Sequence, residues 1–338
     1  MNSSKKIGVA VIGLGIGEQH ARAYLATPGC ELRWLYDLNQ DKAKALRELL
    51  GVGEIASHYA EILQDREVDL VSIASFDDAH YQQVVEALQA GKHVFVEKPM
   101  CRSMEELRQI KRAWDKQQGK LKLYSNLVLR AAPVYQYIKE QLDAGALGKI
   151  YAFDGEYLYG RLDKITQGWR KDEENYSVML GGGVHLVDLM LGLTGERPDS
   201  VWAQGNNICT AGSAFRYHDF VAATMHFPSG LIGRITANFG CVHRHQHVVR
   251  IFGTKGTFLY DDQGPRIHRS RDPEIPALPL KYGALPGSKG DLIPDFVRAI
   301  LNDTDTQIQT ENEFAIITIC AAADLALASG KKIEVEYV

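Results

Sequence analysis

Three stretches of this chain bring together residue types that could carry a reaction. The first is HVFVEKPMC, residues 93–101, where an apolar run meets Glu97, Lys98 and Pro99. Proline lacks an N–H and fixes φ, so a strand must end there and the lysine is held on a stiff turn. A lysine so placed can take a proton from a hydroxyl. In water it titrates near about 10.4, so it serves as a base only where desolvation or a neighbouring positive charge disfavours the ammonium. Glu97 would oppose that by touching Lys98, but strand alternation predicts that it faces away.

The second stretch is Gly13-Leu14-Gly15-Ile16-Gly17, followed by Asp37. Glycines between a strand and a helix let the backbone approach a pyrophosphate, which the helix N-terminus stabilises. The third glycine comes one residue earlier than in G-x-G-x-x-G. Asp37, about 20 residues on, is placed to bind both ribose hydroxyls of a dinucleotide. Its charge repels a 2′-phosphate, and Leu38 rather than an arginine follows it, which favours NAD over NADP.

The third is Gly181-Gly182-Gly183-Val184-His185-Leu186-Val187-Asp188. The glycines predict a close approach of the chain to a cofactor. His185 and Asp188, three apart, share a helix face. Other candidates are weaker. Ser75, Phe76 and His80 follow a strand end, where His80, like His20, is either a cofactor contact or a packing residue. Arg130, Tyr159, Arg161, Trp169 and Arg170 could line a pocket suited to an anionic sugar, or could pair with the acidic run 172–174. His243, His245 and His247 alternate along an expected strand about 7 Å apart, awkward spacing for one tetrahedral ion. A sheet face or a subunit contact is the expectation there, and no metal site.

The elements that must position these groups fall into two textures. Residues 1–124 alternate strands (7–12, 32–36, 68–74, 94–96, 121–124) with helices, the pattern of an α/β doubly wound parallel sheet. Ser103 with Glu106 predicts a capping box. From residue 125 a helix at 133–144 precedes long strand-like runs at 149–159, 201–208, 219–227, 231–239, 247–252 and 256–260, with a turn at 227–231. That predicts an α+β domain with a large open, mainly antiparallel sheet. A Pro- and Gly-rich loop at 272–290, helices at 291–302 and 311–329 and a strand at 333–337 complete it, and the late helices could pack back on the first domain.

The chain has 338 residues, 45% apolar and 24% charged, with formal charge −4 and pI near 6.3. That gives no electrostatic case for nucleic acid. No run of about 18 uninterrupted apolar residues suits a membrane helix. A strand begins too early for a leader, and Asn2-Ser3-Ser4 reads as a chance sequon. Five scattered cysteines without a Cys-x-x-Cys pair fit a cytoplasmic protein.

IGLGIGEQHARAY, YD at 36–37, DLVSIASFDDAHYQQVVEALQAGKHVFVEKP and WRKDEENYSVMLGGGVHLVDL resemble the glucose–fructose oxidoreductase / inositol dehydrogenase / MocA family over nearly the whole chain. AGKHVFVEKP is the most specific segment. The resemblance implies a Rossmann domain joined to an open-sheet domain, and hydride transfer between NAD(P) and a secondary hydroxyl of a sugar, sugar derivative or cyclitol. It implies Lys98 and His185 as the catalytic pair and a cis Lys98–Pro99 bond. It places the loop from Ser75 beside the nicotinamide, so the candidate cofactor contacts are Gly13, Gly15, Ile16, Gly17, Asp37, Ser75, Phe76, His80, Glu97 and Lys98, and the candidate substrate contacts are Arg130, Tyr159, Arg161, Trp169 and Asp188, the last of which could instead orient His185. A homodimer or homotetramer through the second-domain sheet is expected. One position departs: the family commonly has Asp-x-Gly-x-His, and its aspartate is here Gly181. Either Lys98 and His185 suffice, or Tyr159, Tyr176 or Asp188 substitutes, or the chemistry differs. The alternatives are a redox-neutral NAD-dependent sugar elimination or cleavage, and a non-enzymatic nucleotide sensor.

Overall fold

The protein is described by a computed structural model covering residues 6–338. The sequon at 2–4 and the stretch on which a leader would depend lie outside the described residues. The chain divides into two compact units. One holds the chain up to Val128, Pro286–Phe314 and Val338, and the other holds Leu129–Leu285 and Ala315–Tyr337.

The first unit carries a six-stranded parallel sheet. Its elements are β1 (Ile7–Ile12), α1 (Gly17–Ala26), β2 (Cys30–Tyr36), α2 (Gln40–Leu50), β3 (Glu54–Ile55), α3 (Tyr59–Gln64), β4 (Leu70–Ile73), α4 (Asp77–Gln89), β5 (His93–Val96), α5 (Met104–Asp115) and β6 (Leu123–Ser125). The strand order is β3-β2-β1-β4-β5-β6. Every residue of β1 is buried, as a parallel strand covered on both faces requires. Sequence pattern missed β3 and α3, which are too short for periodicity to register. Ser103 caps α5 by accepting from the Glu106 amide, while the Glu106 carboxylate reaches the Arg102 amide.

The second unit is built on a nine-stranded sheet and includes α6 (Pro133–Asp143), β7 (Ile150–Leu158), α7 (Asp163–Thr166), α8 (Val184–Thr194), β8 (Ser200–Asn206), β9 (Phe220–His226), β10 (Ile232–Asn238), β11 (Gln246–Gly253), β12 (Thr257–Asp261), β13 (Gly264–His268), β14 (Leu278–Pro279) and β15 (Ile333–Glu334). The order is β14-β13-β12-β11-β7-β10-β9-β8-β15. All pairings are antiparallel except β7 with β10. The turn at 227–231 joins β9 to β10 as the sequence predicts, closed by the Phe227 amide on the Leu231 carbonyl. Strands β13 and β14, the latter at the sheet edge, were unanticipated, because Gly264, Pro265 and Pro279 interrupt the strand pattern.

Two helices follow, α9 (Ile293–Leu301) and α10 (Gln307–Ser329), and the boundary between the units falls inside α10. α9 belongs to the first unit, where Ile293, Phe296 and Val297 join one core with Val9, Tyr24, Leu32 and Phe95. α10, 23 residues long, is apolar enough by length and composition to cross a membrane. In the fold most of its apolar side chains, among them Phe314, Ile316, Ile319 and Ala323, are buried.

Candidate functional site

In the first unit the chain leaves β1 into Gly13, whose φ of 78° lies in the left-handed region. A side chain there would overlap the Ala74 carbonyl. Position 15 is open: a β-carbon built there finds only Lys42 Nζ, 3.6 Å away. Gly17 begins α1, and a β-carbon on it would press to 3.0 Å on Val11 Cγ1. The early third glycine therefore serves close helix–strand packing. No side chain caps α1; the Gln19 amide turns back to the Ile16 carbonyl at 2.9 Å, and the amides before it are those an anion at this helix N-terminus would meet. Asp37 ends β2. Its Oδ2 accepts from the Leu14 amide at 2.7 Å and lies 3.2 Å from Lys42 Nζ, while Oδ1 accepts from the Asn39 amide at 2.9 Å. Burial pushes this carboxyl up, but those three donors outweigh it and hold it below its usual range. An open glycine turn, uncapped helix amides and an ionised acid at the strand end fit a dinucleotide: Gly13, Gly15, Ile16 and Gly17 at the phosphates, Asp37 at the ribose.

At the end of β5 the Lys98–Pro99 bond is cis. The Glu97 side chain, 13% exposed, accepts from Asn126 Nδ2 at 2.7 Å and faces His20 Nε2 at 3.3 Å. The other ring nitrogen of His20 lies 3.0 Å from Ser72 Oγ. Burial would raise Glu97, but the hydrogen bond and charge of His20, with Lys98 and Asn126, hold it down at about 2. His80 is fully buried. Its Nδ1 is 2.7 Å from the Pro99 carbonyl and its Nε2 3.2 Å from the Ser75 carbonyl. Glu97 and His80, named above as cofactor contacts, thus spend polar atoms inside the protein, bracing the lysine turn against the loop after β4. Ser75 Oγ donates to Gln83 at 2.7 Å, and Phe76 is 55% exposed. Asn126 and His20 were not singled out for this role: they stand 29 and 77 residues from Glu97 in sequence.

In the second unit the glycine run is a π-helix, Met179–Gly183, leading into α8. Such turns recur at functional sites. The glycines meet protein side chains. A β-carbon at 182 would overlap the Tyr157 ring and come within 2.9 Å of Phe239. One at 181 would overlap the Tyr176 hydroxyl and come within 2.9 Å of that ring's Cζ. His185 is stacked on Tyr157, centroids 6.3 Å apart, and meets His247 edge-on at 5.7 Å. Tyr159 stacks on Tyr157, and Arg161 and Arg170 lie 5.7 and 6.0 Å over the Tyr159 ring. Arg170 also lies 4.3 Å over Trp169. The result is a wall of aromatic and imidazole rings with cations at its rim.

Arg130 and Asp188 bind each other, Nε to the two carboxylate oxygens at 2.8 and 3.0 Å. Burial raises the Asp188 carboxyl, and Arg130 pulls it back only in part. They line a cavity of about 320 Å³ between α6 and α8 that His185 does not line. The three histidines do not share a strand, because β11 starts only at Gln246. His243 turns to Asp262 at 3.2 Å, His245 to the Leu158 carbonyl at 3.1 Å, and only His247 lies in the sheet. Among the described residues no group of three His, Cys, Asp or Glu is placed to hold a metal.

A family model for the NAD-binding Rossmann fold of an oxidoreductase family matches residues 7–125, and one for the GFO/IDH/MocA C-terminal domain matches residues 135–259. The scyllo-inositol 2-dehydrogenase (NAD(+)) of Bacillus subtilis is 26% identical over 295 residues, 86% of this chain and 81% of its own. The 2,7-anhydro-N-acetylneuraminate hydratase of Escherichia coli is 27% identical, over 76% of this chain and 68% of its own. The solved structure of levoglucosan dehydrogenase in complex with NADH has a TM-score of 0.87 at 21% identity, covering 99% of this chain and 100% of that one. The glycine turn and Asp37 thus sit in an NAD-binding domain, and the ring-lined wall sits in the domain that accompanies it: the chain belongs to the GFO/IDH/MocA family of NAD-binding oxidoreductases.

Proposed function

We propose that this protein is an NAD-dependent dehydrogenase of a secondary hydroxyl on a sugar, sugar derivative or cyclitol, acting in the cytoplasm. The observation that carries the reading is the lysine turn itself. Lys98 follows a strand end at the carboxyl edge of the sheet that holds the glycine turn, and its flanks are fixed by the Glu97–His20–Asn126 network and by His80. NAD, when bound, supplies the hydride acceptor. Lys98 takes the hydroxyl proton during oxidation and returns it in the reverse direction. His185, stacked on Tyr157, orients the substrate and shares the proton. Tyr159, Arg161 and Trp169 form the recognition surface, and Arg130 with Asp188 fixes α8, which carries His185. The relatives named for inositol and levoglucosan oxidation support this class of substrate. The second-unit sheet is proposed as the contact of a homodimer or homotetramer, readable by sedimentation.

A second reading has its own support. One relative is named a hydratase, and position 181 lacks an acid. In that reading a sugar is oxidised transiently, loses or gains water, and is reduced again. Incubation with NAD and a panel of cyclitols, aldoses, anhydrosugars and sugar acids separates the two. A dehydrogenase accumulates NADH absorbance, whereas the redox-neutral enzyme converts sugar with none. Lys98→Ala should lower turnover by about 10²–10⁴-fold with NADH affinity kept. Turnover that survives this change would remove Lys98 from the chemistry.

A further inference from the structure

Glu97 stands directly before the lysine on which the proposed chemistry depends, and both oxygens of its carboxylate are directed. Oε2 accepts from the Lys98 main-chain amide at 3.3 Å. Oε1 accepts from Asn126 Nδ2 at 2.7 Å and lies 3.3 Å from His20 Nε2. The protonation of that ring nitrogen follows from its neighbours. Asn126 Nδ2 has two hydrogens, and two oxygens lie against it, Glu97 Oε1 and the Lys289 carbonyl at 2.8 Å. Neither hydrogen is left for His20 Nε2, 3.2 Å away. A bare nitrogen there would turn its lone pair on a carboxylate, so Nε2 carries a proton and donates it to Glu97. The other ring nitrogen meets Ser72 Oγ at 3.0 Å, where a hydroxyl can donate or accept. The ring is fully buried, with Phe95 edge-on against it, centroids 5.4 Å apart. These contacts run from α1 through β4 to the end of β5, all within the first unit.

We infer that His20 is a positioning residue for the reaction: by donating to Glu97 it holds that carboxylate on the Lys98 backbone and withholds its charge from the Lys98 amine. The inference rests on the dehydrogenase reading and deepens it. A carboxylate beside an amine favours the ammonium and so works against a base. The two groups already feel each other, since the Lys98 charge is among the influences that hold Glu97 down. With His20 donating, two side-chain donors share Oε1, and much of the charge is answered inside the network. Without His20, Lys98 answers more of it. Tyr24, one turn along α1, is the other titratable group beside Ser72. Burial raises its phenol above the ordinary range, so it stays neutral.

The test uses the full-length protein, His20→Leu, and His20→Leu combined with Glu97→Gln, with kcat/KM followed across pH on the substrate found in the panel. His20→Leu should move the acid limb of the profile up by about one pH unit, so that kcat/KM on the acid side falls about 10-fold. Adding Glu97→Gln removes the charge and should return the limb to its wild-type position or below, although it places a second change in a buried network. A purely structural role would lower the melting temperature without moving the limb, and the second change would only compound the loss. In wild-type protein labelled at its histidine nitrogens, the NMR signal of His20 should show Nε2 protonated, a reading that needs neither variant to fold. An unmoved limb in His20→Leu, a limb that Glu97→Gln does not return, or a bare Nε2 each overturns the inference and leaves the dehydrogenase reading standing. A wild type that binds NADH yet turns over no panel member overturns the dehydrogenase reading, and this inference with it.

Discussion

The carboxylate before Lys98 carries its charge in a nearly buried place, and pH should expose what that costs. Glu97 sits at about 2, well below a free glutamate. Its stabilising contribution is therefore complete above about 4.5 and is lost as pH falls through about 2. His93 on β5 acts in the same direction over an earlier window. Burial, reinforced by Lys122, lowers it to about 4, so its contribution is complete above about 6.5 and is lost as pH falls through about 4. Urea midpoints should fall between pH 7 and pH 5 through His93, and again below pH 4.5 through Glu97. Glu97→Gln should cost no more than about 3 kcal/mol at pH 7 and should flatten the lower step alone. A variant that declines in parallel with wild type below pH 4.5 would show that the charge of Glu97 lies outside this balance. Strand alternation predicts that Glu97 faces away from Lys98; its carboxylate meets Asn126 and His20, yet the Lys98 charge is among the influences that hold it down. Those partners were not legible, because nothing local in the sequence joins Asn126 or His20 to residue 97.

Among the elements, the π-helix before α8 shows where reading glycines from sequence goes astray. Three successive glycines next to a histidine read as room for a cofactor. Folded, they are room for the protein's own rings, Tyr157, Phe239 and Tyr176. Gly182→Ala forces a methyl group into the Tyr157 ring and should cost about 1–3 kcal/mol, seen as a lower melting temperature with NADH affinity retained. An unchanged melting temperature would mean that the sheet face yields. The longer elements were legible because their periodicity is strong: β1, α5 and the β9–β10 hairpin stand where pattern and turn chemistry put them. The histidine triplet was misread for a related reason. Alternation holds only inside a strand, and β11 begins after His243 and His245. The run read at 247–252 begins within one residue of β11, and His243 and His245 precede both.

At the scale of the whole molecule, the two textures of the sequence correspond to the two sheets, but the chain does not divide between them at one point. The segment Pro286–Phe314 belongs with the first unit, and Phe296 is fully buried there against Phe95 and Tyr124, with ring centroids 5.5 and 4.7 Å away. Phe296→Ala should therefore destabilise the nucleotide-binding unit by about 3–5 kcal/mol. It should also weaken NADH binding measured by fluorescence, although residue 296 lies nearly 300 positions from the glycine turn. Full retention of NADH affinity and melting temperature would show that α9 is dispensable to that core.

That late return of the chain orders events during synthesis. A ribosome that has made the glycine turn, Asp37 and Lys98 has still not made α9, whose Ile293, Phe296 and Val297 complete the core beneath them. Nascent chains stalled before residue 286 should therefore fail to retain NADH, and those stalled well beyond residue 301 should retain it. Competence to hold the nucleotide is then acquired only after strands β7–β14 of the second sheet have been made.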